Sequence, residues 1–332
     1  YYAGNKEVIK QRKLLNEEFY KGTIKVPLIG NITTRFHQTS SIDKQTISPQ
    51  EFNTVAELLL MGYKLYDEEV KNAIFEIYKK NNENITAEQL EEKYRALFQS
   101  SKLIETLELE YEKAKLLHDK TNEDIYNLIC NSEDIKVVLD DIKNQFEKGN
   151  IKFPTGRGLA NILRVTFFAN VMATEDFTEI ADLLIAGANI YDEKIEIKFK
   201  ELAKKYYSNI TESEFKQKYD AILRSHNIIS NVAQEKLKAN LIMNKSFAEL
   251  YNVVLNHETV VQGKKEVQDN WSNGQYSRPV IGAISTAFRM VSSFDKETIL
   301  TVEFNEISEM LINGSNLYDD NIHNKLKEIY LK

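Results

Sequence analysis

The residue types that most often carry out chemistry in proteins are few in this chain of 332 residues, which has five histidines and one cysteine. Zinc sites on helices use pairs such as H-E-x-x-H, which place two ring nitrogens on one helix face. No histidine belongs to such a pair, so we expect surface or capping roles for His37, His118, His226, His257 and His323. The cysteine, Cys130, lies in an apolar run, which predicts a buried structural thiol rather than a nucleophile.

Two other sequence features could bind ions. The Gly-Arg-Gly stretch at 156–158 lacks both the G-x-x-x-x-G-K-[ST] pattern of a phosphate loop and a preceding strand, so we interpret it as a helix entry. The acidic runs at 67–69 and 319–320 lack the alternating oxygen ligands and central glycine of a calcium loop. Acidic residues are expected in the first turn of a helix because of the helix dipole. The sequence therefore predicts no metal site and no cofactor.

Two side-chain types recur about every 125 residues and are suited to holding a partner. A cationic or titratable side chain recurs as His37, Arg164 and Arg289. A tyrosine that precedes an aspartate recurs as Tyr66, Tyr191 and Tyr318. The first set could form a basic row that engages acidic groups, or internal ion pairs between neighbouring units. The tyrosines could anchor an interface or pack at helix corners. We take all six as candidate partner-binding residues.

These recurrences belong to a longer internal repeat. Residues 30–67 align without a gap with residues 282–319, and 19 of these 38 positions are identical. A repeat of this length must be a bundle of several helices. We predict repeat units at 27–153 and 154–278, with residues 1–26 ending an earlier unit and residues 279–332 beginning a third. Because Tyr1 and Lys332 both fall in the middle of a unit, we expect an excised segment of a longer protein.

The elements that position these residues should be helices throughout, because apolar residues recur at spacings of three and four rather than two. Glycines 62, 187 and 314 each follow an apolar stripe, as expected of the left-handed residue that ends a helix. Aspartates 67, 192 and 319 then fit helix N-caps that accept hydrogen bonds from free N–H groups. Thr86 with Gln89 and Thr211 with Glu214 have the spacing of a capping box.

One segment of the repeat has a limited likeness to a known family. Residues 180–192, with the sequence IADLLIAGANIYD, resemble the second helix and exit turn of an ankyrin repeat. Ankyrin repeats recur about every 33 residues and open with Thr-Pro-Leu-His. Here the segment returns only every 125 residues or so, and that opening is missing. We interpret the likeness as shared helix-ending chemistry.

Composition restricts the class of partner. Charged residues are 28% and hydrophobic residues 42% of the chain, a balance typical of folded globular proteins. A net charge of −7 argues against general binding to nucleic acid or anionic membranes. No run approaches the roughly 20 apolar residues of a membrane-spanning helix, so we expect a soluble chain. One cysteine cannot form an internal disulfide, and no oxidising compartment is required.

The sequence therefore predicts an all-α fold: tandem helical repeats forming an elongated, curved, α-solenoid-like array. Its expected function is non-catalytic protein–protein recognition, as a scaffold or adhesive segment of a larger protein, because duplication multiplies binding surface. Two alternatives stay open, a structural spacer or self-associating rod and an enzyme with a site between repeats. The abundance of Lys, Asn, Ile and Tyr suggests an AT-rich genome. This fits a secreted virulence factor of an intracellular microbe, with a host protein as partner.

Overall fold

The computed structural model describes residues 5–40, 47–168, 171–292 and 298–332. Within these ranges there are 18 α-helices, three short 3-10 turns and no strand, which confirms the predicted all-α class. The helices are α1 (Lys6–Tyr20), α2 (Ile29–Thr39), α3 (Asn53–Leu60), α4 (Glu68–Asn81), α5 (Ala87–Leu97), α6 (Ser101–His118), α7 (Asn122–Cys130), α8 (Glu133–Glu147), α9 (Gly156–Phe168), α10 (Thr178–Ile185), α11 (Glu193–Tyr206), α12 (Glu212–Leu223), α13 (His226–Met243), α14 (Phe247–Val254), α15 (Glu258–Ser272), α16 (Ile281–Val291), α17 (Asn305–Ile312) and α18 (Asp320–Tyr330). None of the helices in these ranges has both the length and the apolarity needed to cross a bilayer.

Aligned parts of the sequence form helices of matching length and order. The first stretch contains α1–α6, the second α8–α13 and the third α15–α18, while α7 and α14 connect one stretch to the next. In each stretch a 3-10 turn leads into a helix of eight residues, namely α3, α10 and α17. We call these the first, second and third aligned stretches.

The helix signals expected from the sequence are largely present. Gly62, Gly187 and Gly314 have φ angles of 110°, 115° and 106°, so the predicted left-handed helix ends are confirmed. The capping boxes are confirmed as well. In the first box, Gln89 N–H donates to the Thr86 hydroxyl oxygen and Thr86 N–H donates to Gln89 Oε1. The second box has the same reciprocal pair of bonds, between Thr211 and Glu214.

The prediction that the three recurring aspartates accept hydrogen bonds from helix N–H groups is wrong. Each aspartate stands at an N-cap position, yet none of the three carboxylates bonds to a helix N–H. Instead each accepts a hydrogen bond from the backbone N–H three residues earlier, that of Lys64, Asn189 or Asn316, at 2.7–2.9 Å. The carboxylate therefore closes the turn that follows the left-handed glycine, because that N–H points back toward it.

The chain divides into two compact units. Unit 1 comprises residues 1–140 and 154–237, and unit 2 comprises residues 141–153 and 238–332. Unit 1 has two large apolar cores, one containing Phe36 and Phe52 and the other containing Phe167 and Phe199. The fully buried cluster of unit 2 is smaller and is built around Phe304, Ile307 and Ile322.

Candidate protein-binding surface

The recurring cationic positions lie on the second helix of each stretch. His37 is on α2, Arg164 on α9 and Arg289 on α16, and all three side chains are half-buried. The Arg164 Nη2 donates a 3.2 Å hydrogen bond to Asn161 Oδ1, and all three residues make further interactions with their surroundings. His37 and Arg164 belong to unit 1, whereas Arg289 belongs to unit 2. The basic row stays a prediction.

The recurring tyrosines have two different environments. The ring of Tyr191 meets that of Tyr126 edge to face at 5.5 Å, and the ring of Tyr318 meets that of Tyr251 in the same way at 5.7 Å. Tyr66 is 69% exposed. The part of the chain that aligns with Tyr126 in the first stretch lies near Tyr1, outside the described residues. The rings of Tyr191 and Tyr318 thus pack on the connecting helices α7 and α14.

Tyr318 lies in an apolar groove of about 850 Å³ in unit 2. The groove is lined by α14, by α18, by the turn before α18 and by the loop after α8. Its apolar lining includes Phe153, Phe247, Leu250, Tyr251, Val254, Leu317 and Leu326. We call it the Tyr318 groove. Asp320 and His323 are its other ionisable groups apart from the tyrosines. A mainly apolar lining with few polar groups suits apolar side chains of a partner.

The same positions are closed in unit 1. Val254 and Leu317 of the groove are 41% and 43% exposed. Their aligned residues, Ile129 and Ile190, are both 0% exposed. The exposure of the groove therefore does not come from the residue types, which are apolar in both places. It comes from what covers them.

Two helices provide that cover in unit 1. Ile229 of α13 lies in one buried cluster with Ile125 and Ile129 of α7. The hydroxyl of Tyr219, on α12, donates to the carbonyl oxygen of Ile190 at 2.6 Å. The pair α12–α13 thus closes the surface of unit 1 that aligns with the Tyr318 groove.

A second, more polar depression of about 580 Å³ contains Tyr66 in unit 1. Its lining includes Tyr63, Lys64 and Tyr111, and the Lys64 ammonium lies 4.4 Å above the ring of Tyr111. Arg12 and Glu108 form an ion pair of 3.2 Å at the same site. Lys64, Arg12 and Glu108 already interact with other side chains of this chain. We therefore regard this depression as a weaker candidate binding surface than the Tyr318 groove.

The residues considered for catalysis are spread through the chain. Cys130 is half-buried, and burial raises the pKa of its thiol, so the thiol stays protonated at neutral pH. His226 pairs with Asp134 at 2.9 Å, while His257 caps α15 by accepting from the Thr259 N–H, a role expected from the sequence. In the described parts of the chain, no group of three or more His, Cys, Asp or Glu side chains is placed to hold a metal ion.

Two buried glutamates at aligned positions of α6 and α13 were not predicted from the sequence. Glu110 Oε2 accepts from the Leu28 N–H at 2.8 Å, and Glu235 Oε2 accepts from the Thr155 N–H at 2.7 Å. Each glutamate satisfies a backbone donor at the entry to α2 or α9. The available signal was the same residue type at both aligned positions, but a glutamate in a helix looks like a surface charge.

No protein-family model, curated protein sequence or solved structure matches this chain.

Proposed function

We propose that this chain is a tandem array of α-solenoid-like helical repeats that acts as a non-catalytic scaffold for holding a protein partner. The array is supported by the sequence identity between residues 30–67 and 282–319 and by the matching order of helices in the three stretches. Arrays of this kind present surface that is repeated along the chain, which favours binding over catalysis.

The observation that carries the proposal is the open Tyr318 groove. Apolar side chains that are buried at aligned positions of unit 1 are exposed here, with Leu317 at 43% against 0% for Ile190. Removing apolar surface from water yields about 25 cal/mol per Å², so covering the groove is favourable. Exposed contiguous apolar surface in a folded protein typically marks an interaction site.

The shape of the groove favours a helical partner. Its walls are the helices α14 and α18, and its lining carries aromatic rings beside aliphatic side chains. An amphipathic helix with apolar residues at i, i+3, i+4 and i+7 fills a groove of this kind. Aromatic anchors such as Tyr251 and Tyr318 are common at the centres of such interfaces.

A selection from a library of amphipathic helical peptides tests this function. We expect the native chain to retain peptides with an apolar stripe, and a Val254→Glu/Leu317→Glu variant to bind the same peptides at least about tenfold more weakly, because two charges would face an apolar helix. The matched control is Val165→Glu, which alters an exposed valine outside the groove in unit 1. Failure to select any peptide, or equal binding by the groove variant, would contradict the proposal.

A structural role in extending the array is a second candidate function. It is favoured by the closure of the aligned surface in unit 1, where the covering helices α12 and α13 belong to the chain itself.

A further inference from the structure

Unit 2 has a second exposed apolar surface. As in the Tyr318 groove, the aligned residues elsewhere in the chain are buried. Near the end of the first helix of each stretch, Phe19 is 2% exposed and Phe146 is 7% exposed, but Trp271 is 67% exposed. One turn earlier, Ile142 is buried on α8 and its aligned residue Val267 is exposed on α15. The ring of Trp271 contacts Tyr276, which is itself exposed. We call Val267 and Trp271 the α15 face.

In the first two stretches the sixth helix lies against the first. Arg12 of α1 pairs with Glu108 of α6, and Asn16 of α1 donates to Glu112 of α6 at 2.9 Å. Around α8, Phe146 lines a small cavity of unit 2 together with Leu241 of α13. The helix that corresponds to α15 is thus beside α6 or α13 in both stretches that contain such a sixth helix.

The entry to the second helix follows the same rule. The Leu28 N–H donates to Glu110 of α6, and the Thr155 N–H donates to Glu235 of α13. The aligned residue in the third stretch is Val280, which is exposed and precedes α16. The Val280 side chain does not cap α16, and within the described ranges the third stretch contains no helix that corresponds to α6 or α13. The kind of helix that satisfies this backbone donor at the entries to α2 and α9 is therefore missing at α16 within the described ranges.

These exposed places share one explanation. In the second stretch α12 and α13 cover Ile190 and Ile129, and α13 also lies beside Phe146 and caps the entry to α9. The third stretch contains α15–α18 and, within the described ranges, no counterpart of that pair. We propose that the Tyr318 groove, the α15 face and the entry to α16 form one docking surface for a helix pair from a further repeat, with the residue pattern of α12–α13.

This inference rests on the repeat array of the proposed function and names the occupant of the same groove. The pattern of the occupant follows from the contacts in unit 1. The first helix of the docked pair needs a tyrosine aligned with Tyr219, whose hydroxyl donates to the carbonyl oxygen of Ile190. In the third stretch the corresponding acceptor is the carbonyl oxygen of Leu317. Its second helix needs an apolar residue aligned with Ile229 for the groove and a glutamate aligned with Glu235 for the cap. A single amphipathic helix meets only part of these requirements.

The sole tryptophan of the chain reports directly on this docking surface. We would append a copy of residues 206–245 after Lys332, because Lys332 aligns with Lys205 in the repeat. Trp271 emission should shift to shorter wavelength, and its acrylamide quenching constant should fall roughly three- to tenfold, as the indole ring is removed from water. A matched control carries Ile229→Glu and Leu241→Glu in the appended copy only, and its Trp271 should stay as accessible as in the native chain.

Two outcomes would overturn the proposal. One is unchanged Trp271 quenching in the extended chain. This result counts against the proposal whether circular dichroism shows the appended residues to be helical or unfolded, because the docking surface should both order and bind them. The other is equal protection of Trp271 in the Ile229→Glu/Leu241→Glu control. Peptide selection separates the two proposals. Protection of Trp271 without any selected peptide supports the helix-pair docking surface and contradicts recognition of separate partners, whereas selected peptides without protection do the reverse.

Discussion

The hydroxyl of Tyr219 donates a hydrogen bond of 2.6 Å to the carbonyl oxygen of Ile190. Both residues are buried, and the bond joins α12 to the turn before α11. Tyr94 of α5 makes the same bond to the carbonyl oxygen of Leu65 in the first stretch. This contact therefore defines how the fifth helix of a stretch closes over the turn that carries the recurring tyrosine.

Tyr219→Phe should lower the free energy of unfolding of unit 1 by about 1–2 kcal/mol, because the buried carbonyl of Ile190 loses its donor and finds no water. Urea unfolding followed by circular dichroism measures the change. Tyr20→Phe is the control, since the Tyr20 side chain is largely exposed and its substitution should cost under about 0.5 kcal/mol. Equal effects of the two substitutions would show that the Tyr219 bond adds nothing to stability.

Alkaline pH should destabilise the fold through the same tyrosines. Burial raises the pKa of Tyr94 to about 12 from an ordinary value of 10.0, and burial also raises the pKa of Tyr219. Well below pH 10.0 both phenols are protonated in the folded and unfolded chains, so their contribution is fully present. Above it, the unfolded chain loses these protons first, and the free energy of unfolding falls until the folded pKa is passed.

We expect this fall in urea titrations carried out between about pH 9 and pH 12. A Tyr94→Phe/Tyr219→Phe variant should be less stable at pH 9 but should show a shallower decline with pH, because two of the titrating groups are gone. An identical slope in the variant would mean that other groups control alkaline unfolding.

Two aligned glycines of unit 2 should differ in their tolerance of a side chain. Gly149 and Gly274 have similar φ angles of 83° and 78°, so alanine costs each about 1–2 kcal/mol of backbone strain. An added Cβ at Gly149 would also lie 2.5 Å from the His257 nitrogen and 2.7 Å from the Val253 oxygen, whereas at Gly274 it would meet nothing within 4 Å. Both neighbours of Gly149 are backbone atoms, which cannot rotate away.

Thermal unfolding should therefore show a larger loss of stability for Gly149→Ala than for Gly274→Ala, by at least about 1–3 kcal/mol, the usual cost of overpacking. The two variants serve as each other's control because their backbone conformations match. Equal losses would show that the loop after α8 relaxes away from α14 without cost.

The local structure of the chain was predictable because it depends on residues close in sequence. Gly62 and the box of Thr86 and Gln89 signal helix ends through contacts within a few residues. The aspartate at 67 shows the limit of such signals. Its residue type predicted an acceptor of backbone N–H bonds, but only the geometry of the turn decides that Lys64 is the donor.

The open groove was not predictable because burial depends on helices distant in sequence. Leu317 and Ile190 are both apolar and occupy aligned positions of the sequence, yet Ile190 is covered by Tyr219, which lies 29 residues further along the chain. The capping role of Glu110 was missed for the same reason, since its Leu28 partner lies 82 residues away. Tyr191 and Tyr318 stay candidate partner-binding residues, and their ring contacts with Tyr126 and Tyr251 follow from packing alone.

Glu110 allows a direct test of the buried cap. Its carboxylate accepts from the Leu28 N–H, from Asn31 Nδ2 at 2.9 Å and from Lys113 Nζ at 2.8 Å. Glu110→Ala leaves these donors without their acceptor and should cost about 2–4 kcal/mol in the free energy of unfolding. Glu110→Gln keeps one acceptor oxygen but removes the charge opposite Lys113, so we expect about half that loss.

Urea unfolding measures the stability of both Glu110 variants, with Lys115→Ala on the exposed side of α6 as the control. If Glu110→Ala were no more costly than Lys115→Ala, the N–H groups at the entry to α2 would have to be satisfied without α6. The sixth helix would then no longer be required to complete that helix entry.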